Sequence, residues 1–207
     1  LSRSLRCPLV AADGLAMRAT QMGYDGQEFL ERIERPYGPL RRLTDSLAYV
    51  GMGAPAHSGM ETIYIRHGHR ALPLDVGRMR DLLARLLADE TDRLSVVVGS
   101  GAQGALRTNP NVLKVFLVAS EAVRIQRAAL EMEADLDEGR EQVRKVDEGR
   151  RAFLKHLYGL SWDDPAIYDL VLDTGILEND EVVKLILKKV GETPRFAAND
   201  VALEAVD

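Results

Sequence analysis

Very little in this sequence offers a way of holding the chain together other than burial. One cysteine, Cys7, stands among 207 residues. That excludes an internal disulfide framework and a cysteine-based zinc site, and it fits a reducing compartment. No apolar run approaches the roughly 20 residues of a bilayer crossing, and the first residues do not read as a signal peptide. The expectation is a soluble cytoplasmic protein. Aromatic residues are only 5% of the chain, with a single tryptophan, Trp162, so the core must be largely aliphatic. There is no G-x-S-x-G elbow, which leaves acyl transfer without support. His67-Gly68-His69 sets two imidazoles side by side, but neither a further histidine nor a cysteine accompanies them, so no metal site is expected. The formal net charge of −5 gives no global reason to expect a nucleic acid or a membrane as partner, and any basic site must be local.

What the sequence does have is an alternation of helical stripes and short apolar runs. Cys7 to Val10 is a short strand candidate, and Ser2 to Leu5 reads as the last turn of a helix. Asp13 is placed to cap a helix in which Leu15, Ala16, Ala19 and Met22 share a face, and Gly23 closes it. A second helix runs from about Gly26 to Glu34 and stops before Pro36. Residues 36–60 are rich in Gly, Pro, Ser and Ala and read as an irregular lobe, followed by a weak strand at Thr62–Arg66. Asp75 to Glu90 is the clearest helix, with Met79, Leu82, Leu83, Leu86 and Leu87 on one stripe. Strands are predicted at Leu94–Val98, Val112–Val118 and Tyr168–Leu172. Helices are predicted at Glu121–Met132, Asp137–Tyr158 and Glu178–Val190, with a tail from Gly191 that lacks a period. Strands that are apolar throughout and alternate with helices imply a mostly parallel sheet covered on both faces.

Gly99-Ser100-Gly101-Ala102-Gln103-Gly104, directly after a strand, is a literal G-x-G-x-x-G. A dinucleotide site needs a helix behind the glycines to receive the pyrophosphate. Only Ala105 to Thr108 separate Gly104 from the turn at Asn109-Pro110, about one helical turn. The glycines therefore read either as a tight turn beside a cleft or as a close approach to a substrate phosphate, rather than as a Rossmann loop.

The charged helix is the other place for chemistry. Arg140, Arg144, Asp147 and Arg151 recur at i, i+4, i+7 and i+11 and share a face, with Arg150 and Lys155 beside them. Arg124 and Arg127 belong to the preceding helix. An acid among arginines can aim guanidinium groups at phosphate oxygens. The same pattern also describes a solvated helix laced with surface ion pairs worth about 0–1 kcal/mol each. Trp162 reads as a packing anchor or as a base-stacking platform.

Taken in order, Val96–Ala102, Val115–Ser120, Arg124-Ile125-Gln126-Arg127, Asp147-x-x-Arg150, Gly159, Trp162–Pro165 and Tyr168–Thr174 resemble the cytidylate kinase-like branch of the P-loop nucleoside monophosphate kinases. The similarity covers roughly Asp75 to Val190 and, more faintly, Leu1 to Arg18. It implies an α/β fold of the three-layer P-loop NTPase type, a mostly parallel sheet with helices on both faces. It implies a single kinase-like domain over residues 1–190, with an inserted acceptor-binding lobe at 36–70, a lid at 133–160 and a loose tail at 191–207. The implied reaction moves the γ-phosphoryl group of ATP, with Mg²⁺, to CMP or a similar small acceptor, so the implied partners are nucleotides. By the same resemblance, Arg150 and Asp147 are lid residues, with Arg144 and Arg151 beside them as catalytic candidates. Arg127 and Arg124 stand near ATP. Asp13, Arg18, Gly99, Ser100 and Gly101 fall where the acceptor is bound.

Two departures from that family pattern stand out. No G-x-x-x-x-G-K-[ST] occurs, and the family's glycine-rich loop would precede Leu1. The chain does not begin with Met, so a first strand and loop are expected upstream in the natural protein. The family's arginine after the first glycine of the turn is Ser100 here. That substitution supports an alternative, a catalytically silent nucleotide-binding or interaction module of the same fold.

Overall fold

A computed structural model describes residues 1–34, 74–91, 93–99 and 101–193. The predicted lobe at 36–70, the strand at Thr62–Arg66, the paired histidines, Ser100 and most of the tail lie outside these residues. Leu1 to Arg6 forms a turn, with Leu5 N–H donating to Leu1 O at 2.9 Å, and it ends at Arg6 with φ +49°.

Strand β1 (Leu9–Val10) leads into α1 (Ala12–Gln21) and α2 (Gly26–Glu34). Then come α3 (Val76–Thr91), β2 (Val96–Val97) and the one-turn helix α4 (Ala102–Ala105). The remainder is β3 (Val115–Val118), α5 (Glu121–Glu131), α6 (Leu136–Tyr158), a 3₁₀ turn (Pro165–Ile167), β4 (Leu170–Asp173) and α7 (Asn179–Glu192). Side chains set most helix starts. Asp25 accepts from Gln27 N–H and Glu28 N–H at 2.9 and 3.0 Å, and Asp75 from Arg78 N–H at 2.8 Å. Ser120 opens α5, and Asp135 opens α6 by accepting from Asp137 N–H and Glu138 N–H. Each such cap satisfies backbone donors that a helix start leaves orphaned. Asp13 does not play this part: Ala11 occupies the N-cap position of α1, and Asp13 lies exposed in the first turn. There its charge meets the positive end of the helix dipole. Gly159, at φ +69°, ends α6 in the left-handed conformation that favours glycine.

The strands pair in parallel, as expected, but among the described residues they form two two-stranded sheets. Leu9 and Val10 pair with Val96 and Val97, and Val115–Val118 pairs with Leu170–Asp173. The pairing is shorter than the apolar runs, because each strand has a single described neighbour and only residues opposite it form a ladder. Coverage is also incomplete: Val98, Leu117 and Val171 are 56%, 51% and 41% exposed.

Burial is concentrated in two clusters. The larger joins α1, α2 and α3 through Leu15, Ala19, Phe29, Met79, Leu82, Leu83, Leu86 and Leu87, and takes in Phe153 and Leu157 of α6. The α3 stripe is at most 1% exposed along its length, and each such leucine contributes about 2 kcal/mol of apolar burial. Met22 falls outside the stripe and is 39% exposed. The smaller cluster packs Val182, Ile186 and Val190 of α7 against Leu172 and its neighbours in β3 and β4. Helices α5 and α6 double back on one another. A Cβ on Gly139 would lie 2.7 Å from Ile125 O and 3.0 Å from the Ala129 Cβ, so only glycine permits this approach.

Candidate active site

The carboxyl ends of β3 and β4 carry the most ordered polar arrangement. Thr174 follows β4. Its N–H and its hydroxyl both donate to Val118 O, at 2.7 and 3.1 Å. The same hydroxyl accepts from Arg127 Nη1 at 3.0 Å, and Arg127 Nη2 donates to Thr174 O at 2.6 Å. A guanidinium is thereby fixed at the sheet edge while its side chain stays exposed. One turn earlier on α5, Arg124 Nη1 donates to both carboxylate oxygens of Asp147 at 2.8 and 2.7 Å. The two side chains are 33% and 16% exposed, so this pair joins α5 to α6 in partial shelter from water. Arg127, Arg124 and Asp147 thus stand together near the end of β3.

The other arginines of α6 do not converge on that point. Arg140 pairs with Asp137 in its own first turns. Arg144 is held by Glu141 through two bonds of 3.0 and 2.6 Å and by Glu148 at 2.8 Å, all exposed. The bond from Arg144 lowers the pKa of Glu141. Arg151 is exposed and makes no ion pair among the described residues. Arg150 also lacks an ion-pair partner there; its guanidinium carbon lies 5.8 Å from the centroid of the Trp162 ring. Such a contact at an exposed site is worth about 0.5–1 kcal/mol. Trp162 itself meets Phe116 edge-to-face at 5.6 Å, and Phe116 stacks on Tyr168 at 4.5 Å. Tyr168 Oη donates to Trp162 O at 2.6 Å. Trp162 is therefore a packing anchor that also faces a cation.

Around the glycine turn, Gly99 and Gly101 both have φ +69°. A Cβ on Gly101 would lie 2.5 Å from Phe153 Cε1, and one on Gly104 would run into the ring of Tyr158. Two of the three motif glycines thus let α4 lie against α6. Arg18 donates to Glu90 at 2.7 Å, and Glu90, 4% exposed at its side chain, also receives Arg93 at 3.1 Å. Arg18 therefore ties α1 to the end of α3.

A cleft of about 450 Å³ that the sequence pattern did not single out opens between α3, α4 and the end of α6. Arg80, Arg107, Thr108, Leu157 and Tyr158 line it. Neither arginine has a carboxylate partner among the described residues. The Tyr158 hydroxyl is buried without a hydrogen-bond partner among the described residues, and burial pushes its pKa up to about 12, a shift that the Arg80 charge opposes. Arg80 sits on the polar side of the α3 stripe, where nothing in the periodicity marks it out. Among the described residues no three His, Cys, Asp or Glu side chains cluster as metal ligands, and no helix is long and apolar enough to cross a membrane.

The sequence profile of the cytidylate kinase-like family matches residues 1–176. A cytidylate kinase of Thermoplasma acidophilum is 29% identical over 85 residues, 41% of this chain and 45% of that protein. One of Pyrobaculum neutrophilum is 29% identical over 138 residues, 67% of this chain and 73% of that protein. The chain spans about half the length of the first of these relatives. A crystal structure of an uncharacterized protein from Eubacterium ventriosum aligns with a TM-score of 0.49 at 17% identity, over 88% of this chain and 97% of that one. With its family profile matched from Leu1 through Ile176, the chain belongs to the cytidylate kinase-like family.

Proposed function

We propose that this protein is a nucleoside monophosphate kinase that passes the γ-phosphoryl group of ATP to CMP or a similar small phosphate acceptor, on a three-layer P-loop fold. The family match over residues 1–176 carries this reading. In the reaction an acceptor phosphate oxygen bonds to Pγ, the Pγ–O bond to the β-phosphate breaks, and ADP leaves. Little covalent chemistry falls to the protein; it positions the reactants and neutralises charge on the transferred group. Arg127, held by Thr174, and Arg124, held by Asp147, are suited to the ATP phosphates. Arg150 and Arg151 are suited to the migrating group because neither makes a close ion pair among the described residues, Arg151 acting on the exposed Asp163 only through its charge. Arg80 and Arg107 offer two further cations to an acceptor entering the cleft. These donors fit a phosphate chain. Mg²⁺, with no carboxylate trio among the described residues, would be held through phosphate oxygens and water, its usual manner in such sites.

Steady-state assays of the full-length protein with ATP, Mg²⁺ and CMP, UMP or AMP, reading ADP formation, test the proposal. Arg127→Ala is expected to lower kcat/KM at least tenfold, about 1.4 kcal/mol of transition-state stabilisation. Two observations favour a second reading, the silent module: Ser100 stands where the family resemblance places an arginine, and Arg144 is saturated by two glutamates. Nucleotide binding without turnover of any acceptor would select it. Turnover unaffected by Arg127→Ala would remove the proposed role of that residue.

A further inference from the structure

We propose that Trp162 is a positioning residue for Arg150, holding the guanidinium on its indole face until a nucleotide phosphate draws it away. This rests on the phosphotransfer reading and adds to it a resting position for one lid cation. The inference begins with a comparison of partners. Arg144 would have to leave two carboxylates to reach a substrate, and Arg140 one. Arg150 has no ion-pair partner among the described residues; its guanidinium carbon lies 5.8 Å from the ring centroid, and its charge also acts on Tyr168. A cation over a ring at an exposed site is held more weakly than one paired with a phosphate. Arriving phosphate therefore outcompetes indole for Arg150, whereas it would have to displace protein carboxylates from Arg140 and Arg144.

The seat is rigid where it needs to be. The Trp162 ring abuts Phe116 at 77° and 5.6 Å, its carbonyl accepts from Tyr168 Oη at 2.6 Å, and Phe116 and Tyr168 stack nearly parallel. Ser161 Oγ donates to Asp163, and Asp164 accepts from Ala166 N–H, which ties together the turn around Trp162. Indole Nε1 is buried and has no hydrogen-bond partner among the described residues, so among them the ring is held by packing. The arginine is the mobile member. It lies one helical turn beyond Asp147, and its release happens beside the Arg124–Asp147 pair. Without the ring, the long Arg150 side chain would sample solvent, and the ordering cost would fall on the binding step.

Trp162 is the one tryptophan of the chain, so its emission reports this contact without interference. Full-length protein titrated with ATP–Mg²⁺ and with CMP is expected to change its tryptophan emission as the sites saturate. Arg150→Ala is expected to show altered emission before any nucleotide is added and little further change afterwards. Trp162→Leu is expected to lower kcat about three- to tenfold, and Trp162→Phe to restore most of that loss, because a phenyl face still accepts a cation. If Trp162→Leu does not fold, the Arg150→Ala emission decides alone, since Arg150 is exposed. Nucleotides that raise the melting temperature while the emission stays constant would overturn the seat and leave the kinase reading standing. Identical emission from the wild type and Arg150→Ala, with and without nucleotide, would overturn it as well. An absence of both turnover and nucleotide-induced stabilisation would remove the kinase reading and the release step together.

Discussion

Replacing Gly101 by alanine tests whether the glycine motif serves helix packing or a ligand. Two costs are visible in the structure. At φ +69° a Cβ destabilises the left-handed conformation by about 1–2 kcal/mol. That Cβ would also stand 2.5 Å from Phe153 Cε1, and Phe153 is 4% exposed within the main core, so it has little room to retreat. Overpacking of this sort costs about 1–3 kcal/mol, and the sum is about 2–5 kcal/mol. Gly99→Ala is an internal control: it has the same φ and nothing within 4 Å of its Cβ, so only the first cost applies. Urea unfolding gives both values from midpoint and slope. The Phe153→Leu background removes the ring edge, and there Gly101→Ala is expected to cost only the conformational 1–2 kcal/mol, a coupling of about 1–3 kcal/mol. Equal costs for Gly101→Ala and Gly99→Ala, or no coupling to Phe153, would refute the packing explanation. Loss of nucleotide binding in a Gly99→Ala protein of nearly normal stability would restore the ligand-approach explanation for the turn.

Other expectations follow from buried polar groups. Tyr158→Phe removes a hydroxyl buried without a partner among the described residues and is expected to raise stability by about 1 kcal/mol at neutral pH, read by chemical denaturation. Burial raises the Tyr158 pKa to about 12 from an ordinary 10.0, so the folded state keeps its proton after the unfolded state has lost it. That contribution is complete below pH 10 and is lost as the pH rises to about 12. The wild type should therefore lose up to about 2 kcal/mol relative to Tyr158→Phe over this interval, a figure reduced from the full linkage value because the ring is partly exposed; parallel pH dependences would contradict it. Asp147→Asn withdraws the carboxylate from a partly sheltered Arg124 and should cost about 1–3 kcal/mol. A double-mutant cycle with Arg124→Ala that returns no coupling energy would show that the pair does not join α5 to α6.

Where one helix carries its own periodic stripe, the sequence was a good guide. Met79, Leu82, Leu83, Leu86 and Leu87 are buried as the i, i+3, i+4 spacing requires, and the limits of α5, α6 and α7 fall within two residues of those expected. Apolar runs overstate strand length, because an apolar run records avoidance of water while a ladder needs a neighbour opposite each residue. Residue type alone makes Asp13 a cap, yet capping depends on backbone position, and the chain enters α1 at Ala11. The purposes of Gly101 and Gly104 were illegible for a different reason. Their contacts, Phe153 and Tyr158, lie some fifty positions away, and local spacing contains no information about them.

The arginines of α6 show most clearly where spacing stops short of chemistry. A helical wheel places Arg140, Arg144, Asp147 and Arg151 on one face, but the same helix interleaves Asp137, Glu141 and Glu148 at distances of three and four residues. Those acids engage Arg140 and Arg144 locally, while Asp147 turns away to Arg124 of α5. What remains available to a substrate is decided by subtraction. Arg150 is left with an aromatic face, and Arg151 without an ion-pair partner among the described residues. A guanidinium already sharing its charge with two carboxylates gains little from a phosphate, because it must give up one set of charge-assisted bonds to form another. One resting on a ring gains nearly the whole of the new interaction. Under the proposed phosphotransfer, the capacity of an α6 arginine to serve a phosphate depends on the strength of the contact it leaves, and that criterion favours Arg150 over Arg144 even though both stand on the same charged helix.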